Sequence, residues 1–136
     1  MNKLHLKIVT PEKLIYDEDI SELIAETMDG EIGVLPGHMN LMTQIKPGEI
    51  WIKQGNKEIP FATGSGLLQV VGEIATITTD MAEKVEDIDE KMAEEARKRA
   101  ETALEQKLSD EETAVATASL EKALAQLKVK RRHKVR

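Results

Sequence analysis

Thr78-Thr79-Asp80-Met81-Ala82-Glu83-Lys84-Val85-Glu86-Asp87-Ile88-Asp89-Glu90 is the stretch across which the chain changes grammar. All 8 glycines and all 4 prolines lie before Lys84, and neither type follows it. Gly and Pro punctuate turns and interrupt helices. A turn-rich segment therefore gives way near residue 84 to one that can carry uninterrupted helix. The pattern divides the chain into residues 1–84, read as β structure, and residues 85–136, read as a two-helix hairpin.

Upstream of the break, Leu4, Leu6 and Ile8 alternate with Lys3, His5 and Lys7, the period of a half-buried strand. Ile20 and Leu23-Ile24-Ala25 suggest a second strand after a polar turn at Asp17-Glu18-Asp19. Lys46-Pro47-Gly48 precedes the strand Ile50-Trp51-Ile52-Lys53, and Gly55-Asn56 turns it back onto Lys57-Glu58-Ile59. Leu67–Val71 and Ile74–Thr78 flank a tight turn at Gly72-Glu73. Short strands and turns repeated over this length predict a small sandwich or barrel.

Downstream, Asp87 with Glu90 is a helix start signal, and Ile88, Met92, Ala96, Ala100, Ala103-Leu104 and Leu108 follow at helical spacing. Ser109-x-x-Glu112 is a capping box placed where a turn would separate two helices. Val115-Ala116, Leu120, Ala123-Leu124 and Leu127 form the second stripe. Both stripes are rich in alanine, so each helix buries little apolar area and the hairpin is expected to dock weakly.

The whole chain has 136 residues, 32% charged and 40% hydrophobic, with a net charge of −6 and no cysteine. A disulfide framework, a thiolate zinc site and a thiol nucleophile are excluded. Trp51, Tyr16 and Phe61 are the only aromatic residues, too few for a base-stacking nucleic-acid reader. No apolar run reaches the length of a membrane span, and Met1–Val9 lacks the apolar core of a signal peptide. The charge is unevenly laid out. Residues 1–84 carry net −6, residues 85–126 carry −6, and residues 127–136 carry +6. The positive block is Lys128, Lys130, Arg131, Arg132, Lys134 and Arg136. It complements a helix C-terminus, and it is also suited to docking on an acidic partner.

No catalytic constellation emerges. His5, His38 and His133 are scattered, without metal-ligand spacing. Thr63-Gly64-Ser65-Gly66 does not satisfy G-x-S-x-G, and the two glycines are too few for a phosphate loop, so the segment reads as a hairpin turn. Asp29-Gly30-Glu31-Ile32-Gly33-Val34-Leu35-Pro36-Gly37-His38 is more distinctive: three glycines and a proline fold back a run of apolar residues. Such a turn can serve as a contact surface.

Gly30-Glu31-Ile32-Gly33-Val34-Leu35-Pro36-Gly37-His38 closely resembles the G-x-[IL]-G-[IVL]-L-P-x-H signature of the epsilon subunits of F-type ATP synthases. Leu6-x-Ile8-Val9-Thr10-Pro11-Glu12 is similar to that family's first strand and turn, Leu41-x-Thr43 and Gly64-Ser65-Gly66-Leu67-Leu68-Gln69-Val70 to its later strands, and Leu124-Ala125-Gln126-Leu127-Lys128-Val129 to its second C-terminal helix. The resemblance implies a ten-stranded β-sandwich followed by a helical hairpin. It implies a non-catalytic rotor subunit of the central stalk of a proton- or sodium-driven synthase, peripheral on the cytoplasmic face of a bacterial plasma membrane. The sandwich is then expected to bind the gamma subunit and the membrane c-ring. Glu31, Ile32, Val34, Leu35 and His38 become the ring-contact candidates. The hairpin is expected to switch between a folded-down and an extended state. Extended, it would reach the catalytic alpha/beta hexamer through the segment Lys128, Lys130, Arg131, Arg132, Lys134 and Arg136 and inhibit ATP hydrolysis.

Some relatives bind ATP through an I/L-D-x-x-R-A motif at the first helix. Here the matching residues are Ile88-Asp89-Glu90-Lys91-Met92-Ala93, with Met92 in place of the arginine. A thioether offers no guanidinium fork to phosphate oxygens. Ile88, Asp89, Ala93 and Lys122 are thus the remaining candidates for ATP as a weak regulatory ligand. The plainer reading makes Ile88 and Met92 core positions and Asp89 a first-turn carboxylate. No other cofactor is implied. The competing function is a stand-alone β-sandwich adaptor whose basic helical tail binds anionic lipid or RNA.

Overall fold

A computed structural model describes residues 3–133. Nine strands lie in chain order: β1 (Leu4–Val9), β2 (Leu14–Ile20), β3 (Glu22–Thr27), β4 (Gly30–Val34), β5 (Leu41–Gln54), β6 (Lys57–Thr63), β7 (Gly66–Val71), β8 (Ile74–Thr79) and β9 (Ala82–Lys84). A 3-10 turn at Val85–Asp87 leads into α1 (Glu90–Leu104) and α2 (Asp110–Arg132).

The alternation at the start of the chain forms β1, whose Leu4, Leu6 and Ile8 point into the core. β1 pairs antiparallel with β2 and parallel with β8, β8 with β7, and β7 with residues 41–45 of β5. Residues 48–54 of β5 pair instead with β6, which carries β9, while β3 and β4 extend the other side of β5. β5 therefore belongs to both layers of the sandwich. Its register against β3 slips between Ala25 and Thr27, opposite Lys46-Pro47-Gly48, and a bulge of this kind bends a strand out of one layer into the next. The ten expected strands become nine among the described residues because this bend does not break the ladder.

Leu4, Leu6, Ile8, Tyr16, Leu23, Val34, Ile50, Ile52, Phe61, Leu68, Val70 and Ile77 fill the space between the layers. Tyr16 meets Phe61 edge-on at 5.9 Å between ring centroids. Burial pushes the Tyr16 phenol up to about 12.

Three local expectations change. Asp17-Glu18-Asp19 is not a turn but the outer part of β2, an edge strand. Asp19 Oδ1 lies 2.7 Å from His5 Nδ1, and Asp17 Oδ1 lies 2.5 Å from His5 Nε2. This cross-strand clamp compensates for the weak strand propensity of aspartate, and charge on an edge strand discourages further pairing. Gly64-Ser65 is not a hairpin, since β6 and β7 do not pair with each other; it is a corner joining the two layers. A Cβ on Gly66 would lie 2.1 Å from the Thr78 carbonyl oxygen, so the close approach of backbone to backbone requires glycine there. Finally, α1 begins after Asp89 rather than Asp87. The Asp89 side chain accepts from the Met92 amide, and Asp87 falls in the 3-10 turn.

The capping box at α2 forms as read: Ser109 accepts from the Glu112 amide, and Glu112 accepts from the Ser109 amide. The apolar stripes are covered except at three residues. Met92 and Val115 are two-thirds exposed and Leu124 about half. Ala93 and Ala100 are buried on α1, and Ala116, Ala123, Ala125, Leu127 and Val129 on α2. These α2 positions cover more than one face because α2 is packed on two sides, against α1 and against β5 and β6. A helix covered on two sides loses the single stripe of an amphipathic surface helix.

Candidate functional site

The distinctive glycine-rich segment starts at a tight β3–β4 turn. Gly30 has φ 110, a conformation glycine adopts without penalty, and its carbonyl accepts from Thr27 Oγ1 at 2.7 Å. β4 then runs as an edge strand paired only with β3. Its alternation separates the candidates. Glu31 is exposed and Ile32 half-buried against the core. Val34 is fully buried. Val34 is therefore a core residue and leaves the surface set, because its position in β4 points inward between the layers.

Beyond β4 the chain turns sharply. Gly37 has φ 84 and His38 N–H donates to the Leu35 carbonyl at 3.0 Å. Pro36 at the second position and glycine at the third are what such a turn demands. The turn presents Leu35, 54% exposed, and Met39, 81% exposed. His38 Nδ1 lies 2.6 Å from the Met39 carbonyl oxygen. Asn40 Oδ1 accepts from the Gly72 amide at 2.9 Å, which ties this loop to the β7–β8 hairpin.

That tie brings a surface together that the sequence motif alone did not reveal. The outward residues of β7, β8 and the β7-paired end of β5 (residues 41–45) are Met42, Gln44, Leu67, Gln69, Val71, Ile74, Thr76 and Thr78. None carries a charge in a chain that is 32% charged. The apolar members Met42, Leu67, Val71 and Ile74 are exposed. The face continues at the loop into Leu35 and Met39. The signal for the strand part was present in Leu67–Val71 as a nearly unbroken apolar run, interrupted only by Gln69 and free of charge on both parities.

Within the C-terminal basic segment, Lys130, Arg131 and Arg132 are engaged. Arg131 Nε and Nη2 donate to Glu90 and Glu94 of α1 at 2.9 and 3.0 Å, and these carboxylates hold the guanidinium's pKa above its usual value, Glu90 foremost. Arg97 beside Glu94, more than Arg131, holds that carboxyl below its usual range. Lys130 Nζ donates to the Val85 carbonyl at 3.0 Å. Arg132 Nη1 donates to Glu49 Oε1 at 3.0 Å, and His133 Nε2 lies 2.5 Å from Glu49 Oε2. Lys134 and Arg136 lie outside the described residues.

The nucleotide candidates have other occupations. Ile88 packs with Ala62 and Val129. Asp89 caps α1, Ala93 is buried, and Lys122 Nζ sits 3.6 Å from Asp80 Oδ2. Met92, in the arginine's place, faces solvent. Glu83 accepts from Gln126 at 2.9 Å, and burial raises its carboxyl.

Two family models cover the chain. The β-sandwich domain of the ATP synthase delta/epsilon chain matches residues 3–85, and the long α-helix domain of the same chain matches residues 86–131. The ATP synthase epsilon chain of Chloroflexus aggregans is 38% identical over 133 residues, spanning 98% of this chain and 96% of that one. The epsilon chain of Hydrogenovibrio crunogenus is 39% identical over 124 residues, 91% of this chain and 86% of its own. The fold is shared with a chain in the Euglena gracilis mitochondrial ATP synthase OSCP/F1/c-ring structure. That match has a TM-score of 0.72 at 23% identity, covering 94% of this chain and 81% of that one. A chain of the Tetrahymena thermophila mitochondrial ATP synthase central stalk and c-ring matches with a TM-score of 0.66 at 14% identity, covering 94% and 96%.

Proposed function

This chain belongs to the ATP synthase delta/epsilon family, and from that premise we propose that it acts in the central stalk between the gamma subunit and the membrane c-ring. The epsilon chain is a non-catalytic subunit of ATP synthase. The observation that carries the reading is the uncharged outer face of β7, β8 and residues 41–45 of β5, tied to the exposed Leu35–Met39 loop through Asn40. Contiguous apolar surface of this kind marks a protein contact. The sheet face suits the gamma subunit. The loop, with Glu31, Ile32, Leu35 and His38, suits the ring, and Val34 supports it from the core.

No helix among the described residues is long and apolar enough to cross a membrane. The proposed attachment is peripheral, on the cytoplasmic face of a bacterial plasma membrane. The functional units are residues 1–84, which make the stalk contacts, and residues 85–136, which regulate. In the regulatory unit the hairpin lifts from the sandwich and its basic end engages the alpha/beta hexamer, slowing hydrolysis. ATP is at most a weak regulatory ligand, because Asp89 is engaged as a cap and Met92 provides no phosphate contact.

The test is capture of the full chain by the gamma subunit. Val71→Lys with Ile74→Lys should weaken capture by about tenfold or more, as for central contact residues. Undiminished capture sinks the proposed face. Retention on RNA or anionic vesicles instead of gamma would revive the adaptor reading.

A further inference from the structure

We infer that Glu49 and Trp51, on the outer face of β5, form a receptor site for the chain's own basic C-terminal end, and that occupation of this site holds the hairpin down. The inference rests on the lifting hairpin proposed above.

β5 alternates through Glu49-Ile50-Trp51-Ile52, with Ile50 and Ile52 in the core. Glu49 and Trp51 therefore share the opposite face, the one α2 covers. The Glu49 side chain is only 2% exposed, yet each of its oxygens has its own partner, Arg132 on one and His133 on the other. The His133 ring stands edge-on to Trp51 at 4.8 Å, and the Arg132 guanidinium lies 5.8 Å from the Trp51 ring centre. One carboxylate and one aromatic face thus read two consecutive residues of the terminus. Ala62, the cross-strand partner of Glu49, packs under Val129 one turn earlier on α2.

The rest of the docking contact is modest. Lys122 to Asp80, Gln126 to Glu83 and Lys130 to the Val85 carbonyl run along one side of α2. The apolar contribution is the small cluster of Val129 with Ala62 and Ile88, flanked by Met81 and Val85. A carboxylate buried without a cation is strongly disfavoured. Docking of α2 over Glu49 therefore depends on the basic end arriving with it. A partner that takes Arg132 and His133 leaves Glu49 without its cations, which opposes re-docking. The same two side chains serve the sandwich in one state and an acidic partner in the other, so the two states exclude each other.

The experiment uses the full chain, which has no native cysteine. Spin labels are placed at Lys57→Cys on β6 and Lys107→Cys between the helices, and their separation is measured beside acrylamide quenching of Trp51, the sole tryptophan. Glu49→Gln should raise the lifted fraction about tenfold, the equilibrium equivalent of one charge-assisted hydrogen bond, and expose Trp51. Arg132→Gln with His133→Gln should do the same, and combining all three changes should add little more. The second variant keeps the test intact if Glu49→Gln compromises the sandwich, since its changes lie at the end of α2. If Arg131→Gln lifts the hairpin while Glu49→Gln leaves it docked, the receptor site is wrong and the lifting hairpin stands. If the hairpin stays down in every variant and in high salt, both ideas fall.

Discussion

At Gly66 a single missing methyl group decides whether two strands can meet. The nearest obstacles to a Cβ there are backbone atoms, the Thr78 carbonyl oxygen at 2.1 Å and the Thr79 Cα at 2.9 Å, and backbone in a ladder has little room to yield. Gly66→Ala should therefore cost about 1–3 kcal/mol by overpacking, read as a lowered urea midpoint with unchanged slope. His5 offers a second residue-scale test. Hydrogen bonding to Asp17 first, then to Asp19, raises its pKa above the ordinary 6.5, and the same contact with His5 lowers Asp19. A raised histidine stabilises fully below its unfolded value and loses that contribution as pH rises through its folded value. The stability gap between the native chain and His5→Gln should accordingly be widest near pH 6 and close by the alkaline side of the folded pKa, in paired thermal melts. A gap that widens with pH would contradict the clamp. Glu49 shows what residue-level reading missed. It precedes the Ile50–Lys53 stretch read as strand, and local alternation carries no information about a helix residue that reaches it from 83 positions away.

Elements were legible where a local rule fixed them. The capping box at Ser109 and Glu112, the glycine turns at Gly55 and Gly72 with φ near 60, and the alternation of β1 each depend on neighbours within four residues. The bend of β5 and the corner at Gly64-Ser65 did not, because both are set by which strand lies alongside, and pairing partners are non-local. The helical stripes erred only at three large residues, and for a related reason. Counting apolar residues favours Met92, Val115 and Leu124, whereas close helix packing selects the alanines. The α2 start is the most locally determined element and so the cleanest to perturb. The amide and hydroxyl of Ser109 engage Glu112 and lower its carboxyl, so that contribution is present above the ordinary carboxylate range and fades as pH falls through the lowered value. Ser109→Ala should speed hydrogen exchange of the first-turn amides of α2 about fivefold, the equivalent of about 1 kcal/mol at an N-cap. Amides near Arg131 should be unaffected, since the far end is held by other contacts; a uniform acceleration along α2 would show that the cap controls docking as a whole.

For the whole molecule, the division of charge into two acidic segments and a basic end acquires a geometric meaning. Arg131 closes on Glu90 and Glu94 of α1, and Arg132 on Glu49 of the sandwich, so these two arginines meet one acidic segment each in the docked state. Removing negative charge at the sandwich and removing positive charge at the terminus should then have opposite consequences in the assembled enzyme. On the proposed switch, Glu49→Gln would free the end without altering it, leaving all of its cations for an acidic surface of the hexamer. Arg131→Gln with Arg132→Gln also frees the hairpin but strips two of the charges that would hold it in the extended position. In a complex reconstituted with each full-length variant, ATP hydrolysis should fall several-fold below wild type for Glu49→Gln and rise to or above wild type for the double arginine change, since each lost charged contact is worth about one factor of ten. Raising ionic strength should narrow the difference, because the exposed part of the network is screened within a Debye length of about 8 Å at physiological salt. If both variants shift hydrolysis in the same direction, competition between the sandwich and the hexamer for one set of cations is not what regulates the enzyme.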